Sequence, residues 1–285
     1  MVKFIAEVSS NHHRDINRCF EFIDTASEIG CQAVKFQLFK IEKLFAPEIL
    51  NKSKEHNKRK DWELPIDFIP KLHERCKKRS IEFACTPFYL EAVSELKPFV
   101  DFYKIASYEL LWDGMMAECA KTNKPVIIST GMANLAEIKQ AVNTLKKNGC
   151  DKPTLLHCTS AYPTPFTEAN LKAIHTIRSI TNCNVGWSDH TVEPGVIHRA
   201  INKWDASVIE FHLDLDGLGD EYVTGHCWLP EQIKSVISDV KKSLGSDGNG
   251  IKEPTLLETP DREWRADPED GLRPSIRVRK NWQDK

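Results

Sequence analysis

The chain has 285 residues, and its 39 lysine and arginine residues nearly balance 41 aspartate and glutamate residues, for a formal net charge of −2. This balance creates no overall field that would favour nucleic acid or a membrane surface as a partner. Its nine cysteines form no C-x-x-C pair, which argues against a disulfide framework and a structural zinc site and favours a cytoplasmic protein with reduced thiols. We also expect no signal peptide and no membrane span, because a strand-like run begins directly after Lys3 and no apolar run is long enough to cross a bilayer.

Short apolar runs alternate with amphipathic stretches as far as about residue 245, and this alternation predicts eight successive β-α units. The predicted strands are residues 4–8, 33–37, 82–86, 102–107, 125–130, 154–159, 184–188 and 208–212, and the clearest predicted helices are 16–29, 66–78, 134–147, 168–180 and 230–244. Eight such units are typical of a TIM (β/α)8 barrel rather than an open doubly wound sheet. Neither GxGxxG nor a P-loop motif is present, which disfavours a nucleotide-binding fold.

Two regions fall outside this alternation. Residues 51–60 are strongly charged and are predicted to be a solvated loop or a mobile lid. Residues 246–285 are rich in proline, glycine, aspartate and arginine and show little periodicity. We therefore predict a catalytic α/β barrel in residues 1–245 and a short irregular C-terminal extension in residues 246–285.

Lys35 and Lys104 each lie within an apolar strand-like run. A buried ammonium group is costly unless an anion pairs with it, and a ligand phosphate or carboxylate would serve as that anion. Two lysines at the ends of different strands therefore indicate one anionic small molecule held between them. The alternative is a structural ion pair of each lysine with Glu7 or Glu109.

Polar side chains stand at the ends of nearly all the predicted strands, where a TIM barrel builds its active site. In chain order they are Glu7, Lys35, Gln37, Thr86, Lys104, Ser107, Glu109, Ser129, Thr130, Ser160, Tyr162, Ser188, Asp189, His190 and His212. The small hydroxyls among them suit phosphate oxygens, although each one taken singly is more often a turn residue.

His190 and His212 follow neighbouring predicted strands, so their imidazoles can converge on one site. Two neutral imidazoles, completed by water and a substrate oxygen, would form an open site for a divalent transition metal. Asp189 is predicted to orient His190 and to keep its metal-binding nitrogen unprotonated. The alternative is one hydrogen-bonded core histidine and one surface histidine.

Seven short segments, one on almost every strand and in order along the barrel, resemble the sialic acid (N-acetylneuraminate) synthase family. They are Glu7 with Asn11-His12, Lys35-Phe36-Gln37, Thr86-Pro87-Phe88, Tyr103-Lys104-Ile105-Ala106-Ser107, Ser129-Thr130-Gly131-Met132, Tyr162-Pro163-Thr164-Pro165 and Ser188-Asp189-His190-Thr191. Each segment alone is a weak signal, and the ordered set is a specific one.

The resemblance implies that phosphoenolpyruvate condenses with an open-chain amino-sugar aldehyde similar to N-acetylmannosamine, giving a nonulosonic acid and phosphate by C–O cleavage. It places phosphoenolpyruvate on Lys35, Thr86, Lys104, Ser107, Ser129 and Ser188. It places a divalent metal, typically Mn²⁺ with Mg²⁺ or Co²⁺ as alternatives, on His190 and His212, and it gives Glu109 the attacking water or a proton near C2. The residues implied to face the sugar are Glu7, Gln37, Tyr162 and Asp220.

The sequence departs from the family pattern at three places. The loop after strand 1, where the family has glycine, reads Ser9-Ser10-Asn11-His12-His13-Arg14 here, and Ser160 stands where asparagine is usual. The segment Leu213-Asp214-Leu215-Asp216-Gly217 has also diverged, which affects the alignment of Asp220. These changes concern the predicted sugar contacts more than the reaction type.

The family commonly continues into a small antifreeze-like domain that reaches a partner's barrel and donates an arginine to the sugar site, so the resemblance also implies a homodimer. Here residues 246–285 are too few for a second domain with its own core. We predict that they close a barrel mouth, their own or a partner's, and that Arg265, Arg273 or Arg277 replaces that arginine. The alternative is a solvated tail.

Two other functions fit part of the pattern. A Schiff-base aldolase would use Lys104 or Lys35 as its nucleophile. A non-catalytic sugar-binding barrel would need none of the reactive groups, yet Lys35, Lys104, Glu109, His190 and His212 are all present.

Overall fold

The structure is a computed structural model and describes residues 2–283. Its strands are β1 (Lys3–Glu7), β2 (Ala33–Leu38), β3 (Glu82–Pro87), β4 (Phe102–Ile105), β5 (Val126–Ser129), β6 (Thr154–His157), β7 (Asn184–Asp189), β8 (Val208–Leu213) and β9 (Cys227–Trp228). Its α-helices are α1 (Ile16–Ile29), α2 (Ile41–Leu44), α3 (Pro47–Leu50), α4 (Lys54–Lys58), α5 (Ile69–Arg79), α6 (Leu90–Leu96), α7 (Asp113–Lys121), α8 (Leu135–Lys147), α9 (Lys172–Thr181), α10 (Pro194–Trp204), α11 (Asp220–Val223), α12 (Pro230–Gly245), α13 (Thr259–Arg262) and α14 (Ile276–Arg279).

Strands β1 to β8 form a closed parallel barrel. Each strand pairs with the next along the chain, and β1 also pairs with β8, from Lys3 opposite Val208 to Glu7 opposite His212. A helix follows each strand, as a parallel connection requires, and β9 adds a two-residue extension beside the end of β8. The predicted TIM barrel is confirmed.

Helix boundaries follow from local sequence signals. Helix α8 begins at a reciprocal capping box, in which Asn134 accepts from the Glu137 amide and the Glu137 side chain accepts from the Asn134 amide. Helix α1 is capped by the Asp15 side chain and ends at Gly30, whose left-handed backbone (φ 96°) closes its last turn. Such caps explain why the predicted bounds of these two helices lie within a residue of the observed ones.

The barrel has two distinct apolar regions. The larger lies between the strands and the surrounding helices. The smaller, which we call the apolar plug, fills the barrel interior with one residue from each of seven strands: Ile5, Ala33, Ala84, Phe102, Ile127, Leu156 and Val208. Strand β7 has Gly186 at this level, because a Cβ there would lie 2.2 Å from the carbonyl oxygen of Val208.

The charged segment 51–60 is not the plain loop that its composition predicts. It contains helix α4 and enters a 3-10 turn at Arg59–Trp62. The Phe45 and His56 rings meet edge to face with centroids 4.8 Å apart, and the Arg59 guanidinium lies over the Phe45 and Trp62 rings. These ring contacts order a segment in which hydrophobic periodicity gives no signal.

The described residues form two compact units, one ending at Val240 and one beginning at Lys241. In the second unit Asp267 is the organising residue: its carboxylate accepts from the backbone amides of Glu269 and Ile276, and its own amide donates to the Leu272 carbonyl. Among residues 2–283, no helix is both long enough and apolar enough to cross a membrane.

Candidate active site

A polar layer lies directly above the apolar plug. Alternate residues of a strand face the same side, so the residue two positions beyond each plug residue also faces the barrel interior, one layer nearer the C-terminal ends. This rule selects eight buried side chains: Glu7, Lys35, Thr86, Lys104, Ser129, Cys158, Ser188 and Glu210. Six of them were predicted site residues, and the structure adds Cys158 and Glu210.

Lys35 pairs with two carboxylates, one on β1 and one on β8, which are the two strands on one side of it. Its Nζ lies 2.5 Å from Glu7 Oε2 and 3.6 Å from Glu210 Oε2, and it also donates to Thr86 Oγ1 at 3.4 Å. Burial lowers the pKa of Lys35 to about 8, with Glu210 partly opposing that shift. The alternative given in the sequence analysis, a structural ion pair, is therefore present between Lys35 and Glu7.

Lys104 is held differently. Its Nζ donates to Ser129 Oγ at 2.7 Å and to its neighbouring carbonyl at Ile105 at 3.2 Å, and it lies 3.5 Å from Glu210 Oε1. Glu109, the partner weighed for it from the sequence, makes no ion pair with it. The side-chain nitrogen of Lys104 therefore contacts hydroxyl, carbonyl and carboxylate oxygens inside the barrel.

Glu210 joins the two lysines, and the sequence analysis missed it. Its carboxylate is 4% exposed, accepts from Ser188 Oγ at 3.2 Å and has no hydrogen-bond donor for Oε2 among the described residues. Burial alone would raise its pKa, but Lys104 and Lys35 outweigh burial and hold the pKa well below the usual range. The signal was available, because Glu210 stands two residues before His212 in an apolar strand, as the lysines do in theirs.

Beside Lys104 the end of β5 approaches the end of β4 without an intervening side chain. The Gly131 amide donates to Ser107 Oγ at 3.0 Å, and Ser107 Oγ lies 3.3 Å from Cys158 Sγ. A Cβ at Gly131 would lie 2.2 Å from Ser160 Oγ and 2.9 Å from Ser107 Oγ, so a larger residue would displace these two hydroxyls. The Gly131 amide, the hydroxyls of Ser107 and Ser160, and the Lys104 side chain therefore lie close together. Such hydrogen-bond donors suit a phosphate or a carboxylate.

Glu109 ends the 3-10 turn Ser107–Glu109 that follows β4. It is 9% exposed, and its Oε2 has no hydrogen-bond partner within the described part of the chain. Burial raises the pKa of Glu109 to about 7, although the charge of Lys104 partly offsets the rise. A carboxyl group that titrates near neutrality is suited to accept or donate a proton during catalysis.

This pKa predicts how Glu109 affects stability. Because the folded-state pKa lies above the usual 4.5, the folded protein binds the extra proton and the free energy of unfolding falls as pH rises from about 4.5 through about 7. Glu109→Gln should therefore be more stable than the parent at pH 8, by up to about 3 kcal/mol, and no more stable at pH 4.5. Denaturant unfolding at the two pH values measures the difference.

Glu118→Gln, on the helix that follows, serves as the control, because that side chain is 46% exposed and pairs with Lys121 at the surface. Equal stability of Glu109→Gln and the parent at both pH values would show that Glu109 does not titrate as a buried carboxyl group.

His190 and His212 come together around Tyr162. The two imidazole centroids are 5.5 Å apart, and the Tyr162 ring lies 4.3 Å from His190 and 6.0 Å from His212. A third imidazole, His226, was not predicted and lies 5.0 Å from His212 and 5.1 Å from Tyr162. Burial, followed by the neighbouring His212, lowers the pKa of His190 to about 3, so this imidazole is neutral at physiological pH.

The prediction that Asp189 orients His190 is wrong. The carbonyl of Thr159 lies 2.8 Å from His190 Nδ1 and fixes that ring. Asp189 is fully buried and instead accepts from the indole nitrogens of Trp187 and Trp228, both at 3.0 Å. Its adjacency to His190 misled the sequence interpretation, because β7 ends at Asp189 and sequence adjacency does not fix the direction of the His190 side chain beyond it.

The residues near the histidines suit a divalent transition metal. A carbonyl at Nδ1 requires the proton on that nitrogen of His190, which leaves Nε2 with its lone pair free. His212 Nδ1 likewise donates to Glu221 Oε2 at 2.8 Å, and its Nε2 makes no hydrogen bond within residues 2–283. Imidazoles whose second ring nitrogen is hydrogen-bonded to an oxygen acceptor are ligands suited to Mn²⁺, Co²⁺ or Zn²⁺.

The structure places the remaining predicted residues as follows. Gln37 donates to Glu7 Oε1 at 2.8 Å and so lies at the edge of the polar layer, and Tyr162 lies among the histidines. Asp220 begins helix α11 with an exposed side chain, whereas the next residue, Glu221, contacts His212. Arg265 and Arg273 are exposed residues of the second unit.

Comparisons with known proteins agree with this geometry. A model of the NeuB family matches residues 22–252. The chain is 35% identical over 270 residues to N,N'-diacetyllegionaminic acid synthase of Campylobacter jejuni, covering 89% of this chain and 80% of that protein. The chain belongs to the NeuB family.

Two further comparisons extend the match. MJ1065 of Methanocaldococcus jannaschii, an uncharacterized protein, is 38% identical over 247 residues, covering 85% of this chain and 72% of that protein. A crystal structure of N-acetylneuraminic acid synthetase from Leptospira borgpetersenii, in complex with citrate, superimposes with a TM-score of 0.79 at 31% identity, covering 93% of this chain and 91% of the other. The enzyme class predicted from the sequence, a synthase that condenses phosphoenolpyruvate with a sugar, is confirmed at the level of the family.

Proposed function

We propose that this protein condenses phosphoenolpyruvate with an open-chain N-acylated amino-sugar aldehyde to give a sialic-acid-like nonulosonic acid and phosphate, with the help of a divalent metal ion. The observation that supports it most directly is the polar layer, in which Lys35 and Lys104 stand among hydroxyl donors next to three imidazoles. The names of its relatives, synthases of N,N'-diacetyllegionaminic acid and N-acetylneuraminic acid, support the product class.

In this proposal the phosphate and carboxylate of phosphoenolpyruvate bind to Lys35 and Lys104 and to the hydroxyls of Thr86, Ser107, Ser129 and Ser188. The carboxylates of Glu7 and Glu210 hold Lys35 and Lys104 in position, so both ammonium groups are oriented before the anion binds. Low exposure of the layer makes each charge interaction stronger than it would be in water.

The carbon–carbon bond forms between C3 of phosphoenolpyruvate and the aldehyde carbon of the sugar, which Gln37, Glu7 and Tyr162 face. A metal ion held by His190 and His212 would supply Lewis acidity toward the sugar's carbonyl group. Bond formation builds positive charge at C2, which the carboxylates of Glu7, Glu109 and Glu210 stabilise. Glu109 then takes a proton from the water that adds to C2. The second proton of that water is lost as the C2 carbonyl forms and phosphate leaves by cleavage of its C–O bond, and the former aldehyde oxygen takes up a proton to become a hydroxyl group.

A phosphate-release assay tests this proposal. The protein is incubated with phosphoenolpyruvate and Mn²⁺ against a panel of N-acetylhexosamines and their deoxy-diamino relatives, and products are identified by mass spectrometry. We expect phosphate release only with an N-acylated sugar, and phosphoenolpyruvate labelled with ¹⁸O at the bridging position should deliver its label to phosphate. Release that is independent of any sugar, or label retained in the organic product, would contradict the proposed reaction.

The role of residues 246–285 stays a prediction from the sequence. A closing element should orient the flexible sugar and exclude water, so a chain ending at Gly245 should show a sugar KM raised at least about tenfold or a correspondingly lower kcat. Mn²⁺ affinity should be unchanged, because His190 and His212 lie before that point. Size-exclusion chromatography with light scattering on both chains tests the predicted homodimer.

Arg265→Ala and Arg273→Ala in the full-length chain then identify which arginine acts on the sugar, with Arg262→Ala as the matched exposed control. If the truncated chain remains folded and turns over its sugar at the full-length rate, the extension is a solvated tail.

A further inference from the structure

One carboxylate ties the metal-site histidine to two other segments. Glu221, on the short helix α11, has a side chain that is 17% exposed, and its Oε2 accepts from His212 Nδ1 at 2.8 Å. The same oxygen lies 3.4 Å from His226 Nε2 and 3.8 Å from Cys227 Sγ, both at the start of β9.

The second oxygen of Glu221 is occupied by the loop after β1. Its Oε1 accepts from the hydroxyls of Ser9 and Ser10, the latter at 3.1 Å. Ser9 also accepts from Gln37 Nε2 at 3.4 Å, and Gln37 donates to Glu7 at 2.8 Å. A continuous hydrogen-bonded chain therefore runs from the carboxylate that pairs with Lys35 to the imidazole of His212.

We propose that Glu221 is the positioning residue of the metal site: it holds the proton on His212 Nδ1, which orients the ring and leaves Nε2 to bind the metal ion. This inference rests on the metal-dependent reaction proposed above. Thr159 does the same for His190 through its carbonyl oxygen. An oxygen acceptor behind each metal-binding imidazole fixes the tautomer and raises the basicity of the ligand nitrogen.

A competing arrangement uses the same side chains as direct ligands. One donor atom from each of His212, Glu221, His226 and Cys227 lies within 4.8 Å of the others, close enough to surround a single ion. The hydrogen bonds disfavour this arrangement, because both Glu221 oxygens already receive donors from neighbouring side chains. The Cys227 sulfur in turn receives the Asn11 amide at 3.6 Å. The Nε2 atoms of His190 and His212 have no such partners within residues 2–283.

The assignment is tested by metal affinity rather than by turnover. Mn²⁺ binding is measured by electron paramagnetic resonance titration for the full-length parent, Glu221→Ala and Glu221→Gln, with circular dichroism and thermal melting as folding checks. Loss of the hydrogen-bond acceptor behind a metal-binding imidazole commonly weakens metal affinity about 10- to 100-fold. We expect a fall in Mn²⁺ affinity of that size for Glu221→Ala. Glu221→Gln keeps an acceptor oxygen without the charge, and we expect it to bind Mn²⁺ more tightly than Glu221→Ala. Glu231→Gln, an exposed carboxylate at the start of α12, should bind as the parent does.

Cobalt spectra separate the positioning role from direct ligation. With Co²⁺ we expect no thiolate charge-transfer band near the ultraviolet edge, and Cys227→Ser should leave both the spectrum and the affinity unchanged. A band that disappears in Cys227→Ser would overturn the proposal by making Glu221 and Cys227 ligands. Parent-like Mn²⁺ affinity in a folded Glu221→Ala variant would overturn it as well.

Failure of the underlying function has a different signature. If His190→Ala and His212→Ala each bind Mn²⁺ as the parent does, the metal site of the proposed function is wrong, whatever the Glu221 variants show. If those two variants lose the ion while Glu221→Ala keeps it, only the positioning role is lost.

Discussion

Lys104→Ala should weaken phosphoenolpyruvate binding by about 2–5 kcal/mol, which is roughly 30- to 4,000-fold in Kd. Lys104 is 2% exposed, so solvent would not make up for the lost positive charge. In the variant, Lys35 alone would offset the negative charges of Glu210 and of the bound anion. Isothermal titration calorimetry of phosphoenolpyruvate against the parent and the variant measures the loss.

Lys121→Ala is the matched control, since that lysine is exposed and pairs with Glu118 on the surface of α7. An unchanged Kd in a folded Lys104→Ala variant would rule out the electrostatic role. The parent protein treated with borohydride and a carbonyl substrate should remain unlabelled, whereas covalent labelling at Lys104 or Lys35 would support the Schiff-base aldolase.

Removing the metal site should have the largest effect on turnover. Chelation of the parent, or the double variant His190→Ala/His212→Ala, should lower kcat by at least about 10³-fold, because Lewis-acid polarisation of a carbonyl supplies several kcal/mol. Added Mn²⁺ should restore the chelated parent and leave the double variant inactive. Steady-state phosphate release and Mn²⁺ binding are measured on the same preparations.

His175→Ala provides the control for a lost imidazole, because His175 is exposed on α9 and forms hydrogen bonds with Ser179 of its own helix. Full turnover after exhaustive chelation, or in the double variant, would contradict metal assistance and leave the lysines and Glu109 to carry the condensation.

Much of the barrel and of its polar layer followed from the sequence because both depend on local periodicity. Alternation of side chains along a strand shows which residues share a face with Lys35, Thr86 or Lys104 within each of their own strands, without any knowledge of the neighbouring strands. Because the active sites of TIM barrels lie at the C-terminal ends of the strands, these residues are then expected to share one site. The role of Glu210 becomes visible only in the closed barrel, where the strand register brings its carboxylate close to two lysines on other strands.

Contacts between loops were beyond the reach of the sequence. Asp189 was chosen because it precedes His190, and Asp220 because the family resemblance implied it. Asp189 is instead held by two tryptophans, and Asp220 is exposed, while Glu221 reaches His212. The direction of a side chain in an irregular segment depends on backbone angles that no periodic pattern encodes. Ser9, for example, adopts a left-handed backbone (φ 49°) and still directs its hydroxyl to Glu221.

The sequence by itself therefore determined the fold, the two lysines and the histidine pair, because apolar periodicity and the cost of burying charge act locally. The tertiary structure decided which acceptor fixes each imidazole, which carboxylate balances the lysines and which segments reach the barrel mouth. Those choices depend on distances of a few ångströms between residues up to about two hundred positions apart, such as Ser9 and Glu221, and only closure of the barrel sets them.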